Sequence, residues 1–418
     1  MNAEKGLDEI VQYIDKQNKG YFFNNSYIAS YRIVNWLRFC LRSGIRDERV
    51  FASLYRQSRR LAAFPEYELM GNHLMENGIA LVWAGLFFSD EYLLKKGEGI
   101  LLQQLPEQIL EDGVHFEKSY AYHTILLKRL LELAEYYACF SKSNNFYKEL
   151  IVSCSKMLSH VFVLNKTHDF PPMFGDSNEG MCVSVFELKS LAQNLLLKVE
   201  QLPLGVSGIR RLDSGICTLF FNLGNVAAPY QPGHAHADAF AFCLNVEGAP
   251  LLVDPGVSTY EKGVMRSRER STAGHNTVFV AGADSAEVWA SFRMGRRPEC
   301  NYLVDSDNVV DCEHNGYFYN FEITHRRAIS IEENKIRLCD CLKGWKGQDA
   351  GIAYHFYPGI EPQRKGNGWQ VENVLIEIEG AETHVEDYQY AKDFNVTVPA
   401  RKIVGKIKKE TIRTTIVF

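Results

Sequence analysis

The stretch of sequence that decides the fold is Gln231-Pro-Gly-His-Ala-His-Ala-Asp-Ala-Phe-Ala-Phe242. Polar side chains that can bind a metal alternate here with alanines, and successive side chains of a β-strand point to opposite faces. The pattern predicts a strand with His234, His236 and Asp238 on one face. A metal needs at most two of them, which leaves another free to act on a substrate.

Two more pieces of sequence follow this stretch. Pro250-Leu-Leu-Val-Asp-Pro-Gly256 ends an apolar run in Asp254, and Arg270-Ser-Thr-Ala-Gly-His-Asn-Thr-Val278 opens another run after His275. Two imidazoles and a carboxylate at the ends of neighbouring strands would make a three-ligand site with room for a water, which suits zinc. A structural interpretation stays open, because His-x-His pairs are common and Asp254 can bond its own backbone in a turn.

The spacing of apolar residues divides the chain into two halves. Up to about residue 200 the spacing is helical, and the predicted helices cover 28–41, 46–63, 68–88, 90–104, 117–140, 145–163 and 181–199. Short connections predict antiparallel neighbours in a bundle, a solenoid or a toroid. After Leu202 short apolar runs separated by Gly, Asn and Asp predict a β-sandwich.

The strands predicted in the second half are 216–223, 240–246, 277–280, 318–331, 335–342, 353–357, 374–378 and 411–418. The fold class is therefore predicted as α+β and multidomain. An all-α domain over residues 1–203 is followed by an antiparallel β-sandwich over residues 204–418.

Composition limits the class of protein. The chain has 418 residues, 46% of them hydrophobic, which is enough material for two cores. A net charge of −5 argues against a sequence-independent nucleic-acid binder, so an anionic partner would need a local cluster of arginines. The ten cysteines lie mostly in apolar runs without a Cys-x-x-Cys pair and predict buried thiols. The oligomeric state is left open.

The beginning of the chain carries acidic residues where a secretion signal has a basic start and an apolar core. The chain as written is therefore predicted to be cytoplasmic, and periplasmic if it is the processed form of a precursor. The apolar patch at Ile79–Phe88 is too short to cross a bilayer, so we expect no membrane span.

Four motifs in order resemble the C-terminal part of heparinase II/III-type polysaccharide lyases, a family that includes oligoalginate lyases. They are Gly-His-Ala-His-Ala-Asp from Gly233, Leu-Leu-Val-Asp-Pro-Gly from Leu251, Arg-Ser-Thr-Ala-Gly-His-Asn-Thr from Arg270 and Glu-Val-Trp-Ala-Ser-Phe-Arg-Met-Gly-Arg-Arg from Glu287. The resemblance implies an α/α toroid, incomplete here because the helical part is short, joined to a β-sandwich. It implies β-elimination of uronate-containing chains. It also implies one zinc ion, mainly structural, on His236, Asp254 and His275.

One polar segment of the helical half is Gly71-Asn-His-Leu-Met-Glu-Asn77. Asn72 and Glu76 lie four residues apart on one helix face, with His73 on the adjoining face. Polar capping of a helix start would explain them. The resemblance implies instead that Asn72 and His73 present an amide and an imidazole to the uronate carboxylate, and we predict Glu76 as a substrate-binding neighbour.

A second polar segment ends in Ser119-Tyr-Ala-Tyr-His123 at the start of a helix, where tyrosines usually serve as packing residues. The resemblance implies that Tyr122, directly before His123, is catalytic. The chain departs from the commoner Ser-Pro-x-Tyr-His, so Tyr120 is a rival and is predicted to contact the substrate. A third polar loop, at 171–179, has two interpretations, as the lining of a cleft or as a surface turn.

These residue types suit β-elimination. Removing the weakly acidic C5 proton of a uronate requires a neutralised carboxylate, a role for Asn72 and His73. Tyr122 is the predicted acid for the departing O4. The base is His234 or an ionised Tyr122, depending on whether the departing groups lie on opposite sides or the same side of the ring. With Tyr122 in the helical domain and His234 in the sandwich, the site is expected in an interdomain cleft.

The predicted partner is an anionic polysaccharide or oligosaccharide. Six arginines flank the His-Asn-Thr segment, at positions 266, 268, 270, 293, 296 and 297. Of these, Arg293 and Arg296 are predicted to bind the substrate, and Arg270 is predicted to be structural because it abuts the metal corner. Glucuronate, iduronate, mannuronate and guluronate polymers share the same C5 chemistry, so the sequence does not separate them.

Two other functions stay open at this stage. A zinc hydrolase also uses three protein ligands and a water. A non-catalytic carbohydrate-binding or polysaccharide-assembly protein could keep the same scaffold, although such a role would not require Asn72, His73, Tyr122 and His234 together.

Overall fold

The computed structural model describes residues 3–18, 25–165, 170–200, 202, 206–223, 228 and 230–418. Contacts divide the chain into two compact units. The first comprises Met1–Ile109, Leu126–Ser155 and Phe186–Lys198, and the second comprises Leu110–Ile125, Lys156–Val185 and Val199–Phe418. The second unit therefore includes two segments of the helical half besides the sheet region.

Helices come first in the chain. Those of the described residues are α1 (Ala3–Asn18), α2 (Ser26–Ser43), α3 (Glu48–Ala63), α4 (Gly71–Phe88), α5 (Glu91–Gln108), α6 (Tyr120–Tyr137), α7 (Asn145–Leu164), α8 (Val185–Asn194), α9 (Val264–Arg270) and α10 (Phe318–Phe321). Side chains cap several starts, as when Asn25 accepts from the Ile28 amide and Asp90 from the Leu93 amide. The seven predicted helices are confirmed as α2 to α8, and α1 was not predicted.

In the first unit, α4 and α5 approach each other closely because glycines line their contact. A Cβ built on Gly85 would lie 2.5 Å from the backbone nitrogen of Leu94, and one on Gly97 would lie 2.7 Å from that of Val82. Both distances are shorter than a real side chain tolerates, so the approach requires glycine. Helix α4 buries nearly all of its side chains, including the polar Asn72, Glu76 and Asn77 of its first turns.

The strands of the described residues all lie in the second unit. They are β1 (Ile209–Ser214), β2 (Cys217–Asn222), β3 (Phe242–Val246), β4 (Ala249–Leu252), β5 (Val278–Val280), β6 (Val288–Trp289), β7 (Arg293–Met294), β8 (Cys300–Asp305), β9 (Val309–His314), β10 (Thr324–Glu332), β11 (Lys335–Lys343), β12 (Ala350–His355), β13 (Gln363–Lys365), β14 (Gly368–Val371), β15 (Val374–Glu379), β16 (Ala381–Asp393), β17 (Val396–Ile407) and β18 (Thr411–Val417).

The strands pair antiparallel in four sheets. Their orders are β1-β2-β3-β4, β13-β14-β15-β18-β11-β10-β9-β8, β16-β17-β12-β5 and the small hairpin β6-β7. One apolar core is shared by the three larger sheets, with members such as Phe221, Phe242, Ile329, Ile352 and Ile416. The predicted order of helices followed by antiparallel sheets is confirmed. In the described residues no helix combines the length and apolarity needed to cross a membrane.

Two strand predictions need correction. Residues 234–241 form an irregular segment, and β3 begins only at Phe242. The segment's backbone bonds go elsewhere: the Ala237 amide donates to the Arg270 carbonyl, and Thr272 Oγ1 donates to the Ala237 carbonyl. The predicted strand at 318–331 starts instead with the helical turn α10, and β10 begins at Thr324.

Candidate active site

Residues 234–239 alternate between polar side chains and alanines, and the two kinds of side chain have different surroundings although no strand forms. Ala235, Ala237 and Ala239 pack with Met294 and Val288 of the β6-β7 hairpin in one apolar cluster. The intervening histidines make polar contacts of their own. His236 is fully buried, and the side chain of His234 is 11% exposed.

Asp176 is the centre of these polar contacts. Its carboxylate is fully buried and accepts from His234 Nδ1 at 2.9 Å and from His236 Nε2 at 2.8 Å. The buried Arg266 guanidinium binds both carboxylate oxygens, with 2.9 Å from Nη2 to Oδ2. Burial on its own raises the pKa of Asp176, but Arg266 and the two histidines outweigh burial and hold that pKa well below its usual range. Asp176 is therefore a permanent acceptor that fixes the proton positions of both imidazoles.

The start of helix α6 is tied to the same residue. Ser119 Oγ accepts from the Tyr122 amide at 3.2 Å and donates to the Asp176 carbonyl at 2.7 Å. Ser177 Oγ accepts from the Ala121 amide at 3.1 Å. These serine bonds satisfy amides of the first helical turn, which lack partners within the helix. They also fix the position of Tyr122 relative to the Asp176 loop.

Tyr122 and His234 lie against each other in the second unit. Their rings stack with centroids 3.7 Å apart and an interplanar angle of 22°. The Tyr122 hydroxyl lies 3.1 Å from that of Tyr260. Burial raises the pKa of Tyr260, and the Asp176 charge raises it further, so Tyr260 stays protonated. A neutral phenol beside Tyr122 can donate a hydrogen bond to it.

His234 has a carboxylate near each ring nitrogen. Nδ1 faces Asp176, and Nε2 lies 3.6 Å from Oε2 of Glu117, whose side chain is buried. Because Asp176 can only accept, Nδ1 of His234 carries a proton, and Nε2 is the nitrogen available for proton exchange. The hydrogen bond to Asp176 holds the imidazole in one orientation.

Two of the predicted metal ligands present matching ring nitrogens. His275 Nδ1 donates to Asp254 Oδ2 at 2.7 Å, and the rings of His236 and His275 lie 5.3 Å apart. His236 Nδ1 and His275 Nε2 are buried without a hydrogen-bond partner. Burial lowers the pKa of His236 to about 4, so its Nδ1 offers a lone pair. Two unpartnered imidazole nitrogens, each on a ring oriented by a carboxylate, fit the donor set of a zinc site.

The third predicted ligand is placed differently. Asp254 bonds the opposite nitrogen of His275, so ligation would require its carboxylate to exchange that hydrogen bond for the ion. Among the residues described, no three His, Cys, Asp or Glu side chains are grouped closely enough to hold a metal ion as placed. Asp238 lies buried in this region, and burial raises its pKa to about 6.

The other predicted residues of the second unit fall into two groups. Tyr120 is buried in an apolar cluster with Met173 and Phe174, and its hydroxyl accepts from Asn165 at 3.0 Å, a packing position that favours Tyr122 as the catalytic tyrosine. Arg293 and Arg296 are exposed, as a substrate-binding role requires.

Two other arginines of the predicted cluster, Arg266 and Arg270, are buried. Arg270 donates to the backbone carbonyls of Ala235 and Arg293, which makes it structural, as expected from the sequence.

The Asn72 segment belongs to the first unit. Asn72 and Glu76 are buried, and Glu76 accepts three hydrogen bonds from the buried Arg129, at 2.9 to 3.1 Å. The carboxylate of Glu76 is therefore already paired, and contact with a substrate would require that pair to open. His73 is partly exposed, stacks on Tyr27 at 4.1 Å and lies 3.4 Å from Glu66 Oε1.

Sequence reasoning left several functional candidates without a role. Asp176 was seen as part of a polar loop with two interpretations, and the structure supports the lining of a site. Tyr260 and Glu117 carried no role, and Arg266 was one of the flanking arginines to which no individual role was assigned. The sequence signal for a role of Asp176 was the run of polar residues around it between apolar segments. Its pairing with His234 leaves no local pattern, because the two residues are 58 positions apart.

The fold, a helical region followed by antiparallel sheets, is similar to that of solved polysaccharide lyases. Heparinase III matches with a TM-score of 0.73 and 17% identity over 94% of this chain and 69% of that chain. A heparan sulfate lyase mutant from Pedobacter heparinus matches with a TM-score of 0.68 and 17% identity, over 98% of this chain and 72% of that one.

A more distant similarity is to the chondroitin AC lyase of Streptomyces coelicolor A3, with a TM-score of 0.53 and 9% identity over 91% of this chain and 65% of that one. The profile of the heparinase II/III-like C-terminal domain matches residues 200–417, and that of the heparinase II/III N-terminus matches residues 29–194. The chain therefore belongs to the heparinase II/III-like family. A search of curated protein sequences found no match.

Proposed function

We propose that this protein is a polysaccharide lyase that cleaves a uronic-acid-containing polysaccharide or oligosaccharide by β-elimination. The observation that carries the proposal is the Tyr122–His234 stack, in which two groups able to exchange protons lie 3.7 Å apart between ring centroids. Family membership supports the same class of reaction. Relatives named as heparan sulfate lyase and chondroitin AC lyase act on polymers that contain uronates.

The proposed reaction needs two proton transfers and no water. A base removes the C5 proton, the electron pair of that bond forms the C4–C5 double bond, and the C4–O4 bond breaks with its pair on O4. An acid then protonates the departing O4. One product chain gains a new hydroxyl, and the other gains an unsaturated uronate at its end.

Tyr122 is proposed as the acid, and the hydrogen bond with Tyr260 sets its hydroxyl position. His234 is proposed as the base for departing groups on opposite sides of the ring, with Nε2 as its reactive nitrogen because Nδ1 donates to Asp176. An ionised Tyr122 takes both roles when the departing groups lie on the same side, and His234 then positions the Tyr122 ring through their stack. In either case Asp176 and Arg266 act as positioning residues behind His234.

For Asn72 and His73 we propose neutralisation of the uronate carboxylate, the role that the family resemblance implies. The partial exposure of His73 is compatible with contact to an anion. Asn72→Ala should lower turnover without unfolding the protein. A variant that is folded and fully active would remove Asn72 from the proposal.

We also propose one zinc ion on His236, Asp254 and His275. Bound there, zinc would mainly fix the three chain segments that carry these residues. The unpartnered His236 Nδ1 and His275 Nε2 support the proposal. Protein purified without chelator should contain about one zinc per chain and melt at higher temperature with zinc than after its removal. His275→Ala should lose the metal, and zinc-free wild-type protein with unchanged melting would contradict the proposal.

The function is tested with hyaluronan, heparan sulfate and alginate as candidate substrates. A lyase produces an unsaturated uronate, so ultraviolet absorbance should rise in step with new reducing ends. Reducing ends without absorbance would identify a hydrolase. Tight binding without either product would identify a carbohydrate-binding or assembly protein, and both outcomes would overturn the lyase proposal.

A further inference from the structure

A small hairpin beside the candidate active site exposes two large aromatic side chains. Strand β6 pairs with β7 through Val288↔Met294 and Trp289↔Arg293, and residues 290–292 form the turn. Trp289 is 51% exposed and Phe292 is 41% exposed. Exposed rings on a rigid support are a recurrent feature of binding surfaces, because they offer a large contact area at low entropic cost.

Buried arginines hold the turn of this hairpin. Arg266 donates to the Ser291 carbonyl at 2.8 and 3.0 Å, and Arg270 donates to the carbonyls of Ala290 and Arg293 at 3.3 and 3.1 Å. An isolated two-stranded hairpin is marginally stable in water, so these bonds fix the backbone of the turn. The backbone that carries Phe292 is therefore preorganised.

The Trp289 ring is supported from one side. A Cβ built on Gly295 would lie 3.0 Å from Cζ3 of Trp289, so glycine leaves the space that the indole occupies. Below the hairpin, Val288 and Met294 pack on the alanines of residues 235–239. The hairpin is thus anchored by its apolar side, while half of the indole surface stays open.

The hairpin is continuous with the proposed catalytic residues. The Phe292 ring lies 5.2 Å from that of Tyr260 and 6.2 Å from that of His234, between centroids. Exposed positive charge accompanies the rings: Arg293 follows Phe292, and the Arg296 guanidinium lies 4.1 Å over the ring of Tyr319. Aromatic rings next to arginines match a sugar ring that has an apolar face and a carboxylate.

We infer that Trp289 and Phe292 form a sugar-stacking subsite that binds a residue of the uronate chain next to the residue at Tyr122 and His234. The inference rests on the proposed function for the choice of ligand. It extends that function by assigning a second contact region, with Arg293 and Arg296 pairing with the charges of the bound chain. Longer oligosaccharides should therefore bind more tightly than disaccharides, because only they reach the rings.

The test measures binding apart from turnover, by titrating hexasaccharides and disaccharides of hyaluronan, heparan sulfate and alginate into the Tyr122→Phe variant. Trp289→Ala in that background should weaken binding of the preferred hexasaccharide about tenfold, the loss typical of a truncated aromatic anchor, and leave the disaccharide nearly unaffected. Phe292→Ala should act in the same direction, with Phe292→Tyr retaining affinity. Phe186→Ala, which removes an 83% exposed ring of the first unit, is the matched control.

Equal hexasaccharide affinity in Trp289→Ala, Phe292→Ala and the control would overturn the subsite. Loss of self-association in Trp289→Ala, with sugar binding unchanged, would show that the rings contact a second copy and would also overturn it. Because binding is measured without turnover, a ring-dependent affinity with no unsaturated product from the wild type would retain the subsite and reject the lyase.

Discussion

Two clusters in the second unit contain the same types of side chain but differ in whether any of those side chains is exposed or lacks a hydrogen-bond partner. In one, Asp176 binds Arg266, His234 and His236. In the other, Asp340 binds Arg327 and His325, and His325 Nδ1 lies 3.1 Å from His314 Nε2. Each has a buried aspartate, a bidentate arginine and two histidines.

The second cluster is fully satisfied. His314 Nδ1 accepts from the Gly316 amide, and Arg327 donates to the Phe240 and Asn276 carbonyls. All four of its side chains are buried. The Asp176 cluster instead leaves His236 Nδ1 unpartnered and His234 partly exposed beside Tyr122. Residue types alone therefore do not identify a functional site; unsatisfied bonding capacity and exposure separate it from a structural network.

The largest effect is expected from breaking the closed cluster. Asp340→Ala leaves the buried Arg327 charge without its carboxylate, and we expect a loss of about 3–5 kcal/mol in the free energy of unfolding. Chemical denaturation measures it. The variant Asp340→Asn should lose less stability than Asp340→Ala, because the asparagine side chain still accepts a hydrogen bond. Stability within about 1 kcal/mol of the wild type in Asp340→Ala would show that this network is not structural.

The next largest effect is expected from Tyr122→Phe. It concerns the activation free energy of turnover rather than the free energy of unfolding. The ring and its stacking on His234 remain and only the hydroxyl is lost, so the protein should fold and bind substrate normally. Turnover should fall at least about a hundredfold, or about 2.7 kcal/mol, the lower end for a lost acid–base group. Tyr120→Phe is the matched control and should keep its turnover. A dead Tyr120→Phe beside an active Tyr122→Phe would move the catalytic role by two residues.

The smallest effect concerns the exposed arginines, Arg293 and Arg296. Exposed ion pairs contribute about 0.2–1 kcal/mol each, so the double change to alanine should weaken binding of an anionic oligosaccharide by only a few fold. The difference in affinity between the wild type and the double variant should shrink at high salt, because screening weakens the charge interactions that each protein makes with the oligosaccharide. Titrations at low and high salt measure it. Unchanged, salt-independent affinity would make these arginines a solvated surface.

The sequence predicted the fold class because it depends on local periodicity, and helices α2 to α8 follow from apolar spacing alone. Strands β16 and β17 escaped prediction because half-exposed strands carry no continuous apolar run. Helix α6 begins at Tyr120 rather than at residue 117. At the observed start, the Ser119 and Ser177 hydroxyls accept hydrogen bonds from the first amides of the helix.

The candidate site was predictable where neighbouring residues share it. The motif at 233–238 marked His234 and His236, and Tyr122 followed from the family pattern. Asp176 could not be assigned, because the interaction that defines its role joins residues 58 positions apart. The pairing of Arg266 with Asp176, over 90 positions, is equally non-local.

The central claim is that the Asp176 cluster is functional and the Asp340 cluster structural, and matched histidine substitutions test it most directly. His234→Asn keeps a donor for Asp176, and His325→Gln keeps one for Asp340. Turnover and unfolding free energy are measured on both variants. We predict that His234→Asn loses turnover at least about a hundredfold with nearly unchanged stability. We predict that His325→Gln loses about 1–3 kcal/mol of stability and keeps the turnover of its folded fraction. An active His234→Asn, or a stable but inactive His325→Gln, would contradict the account.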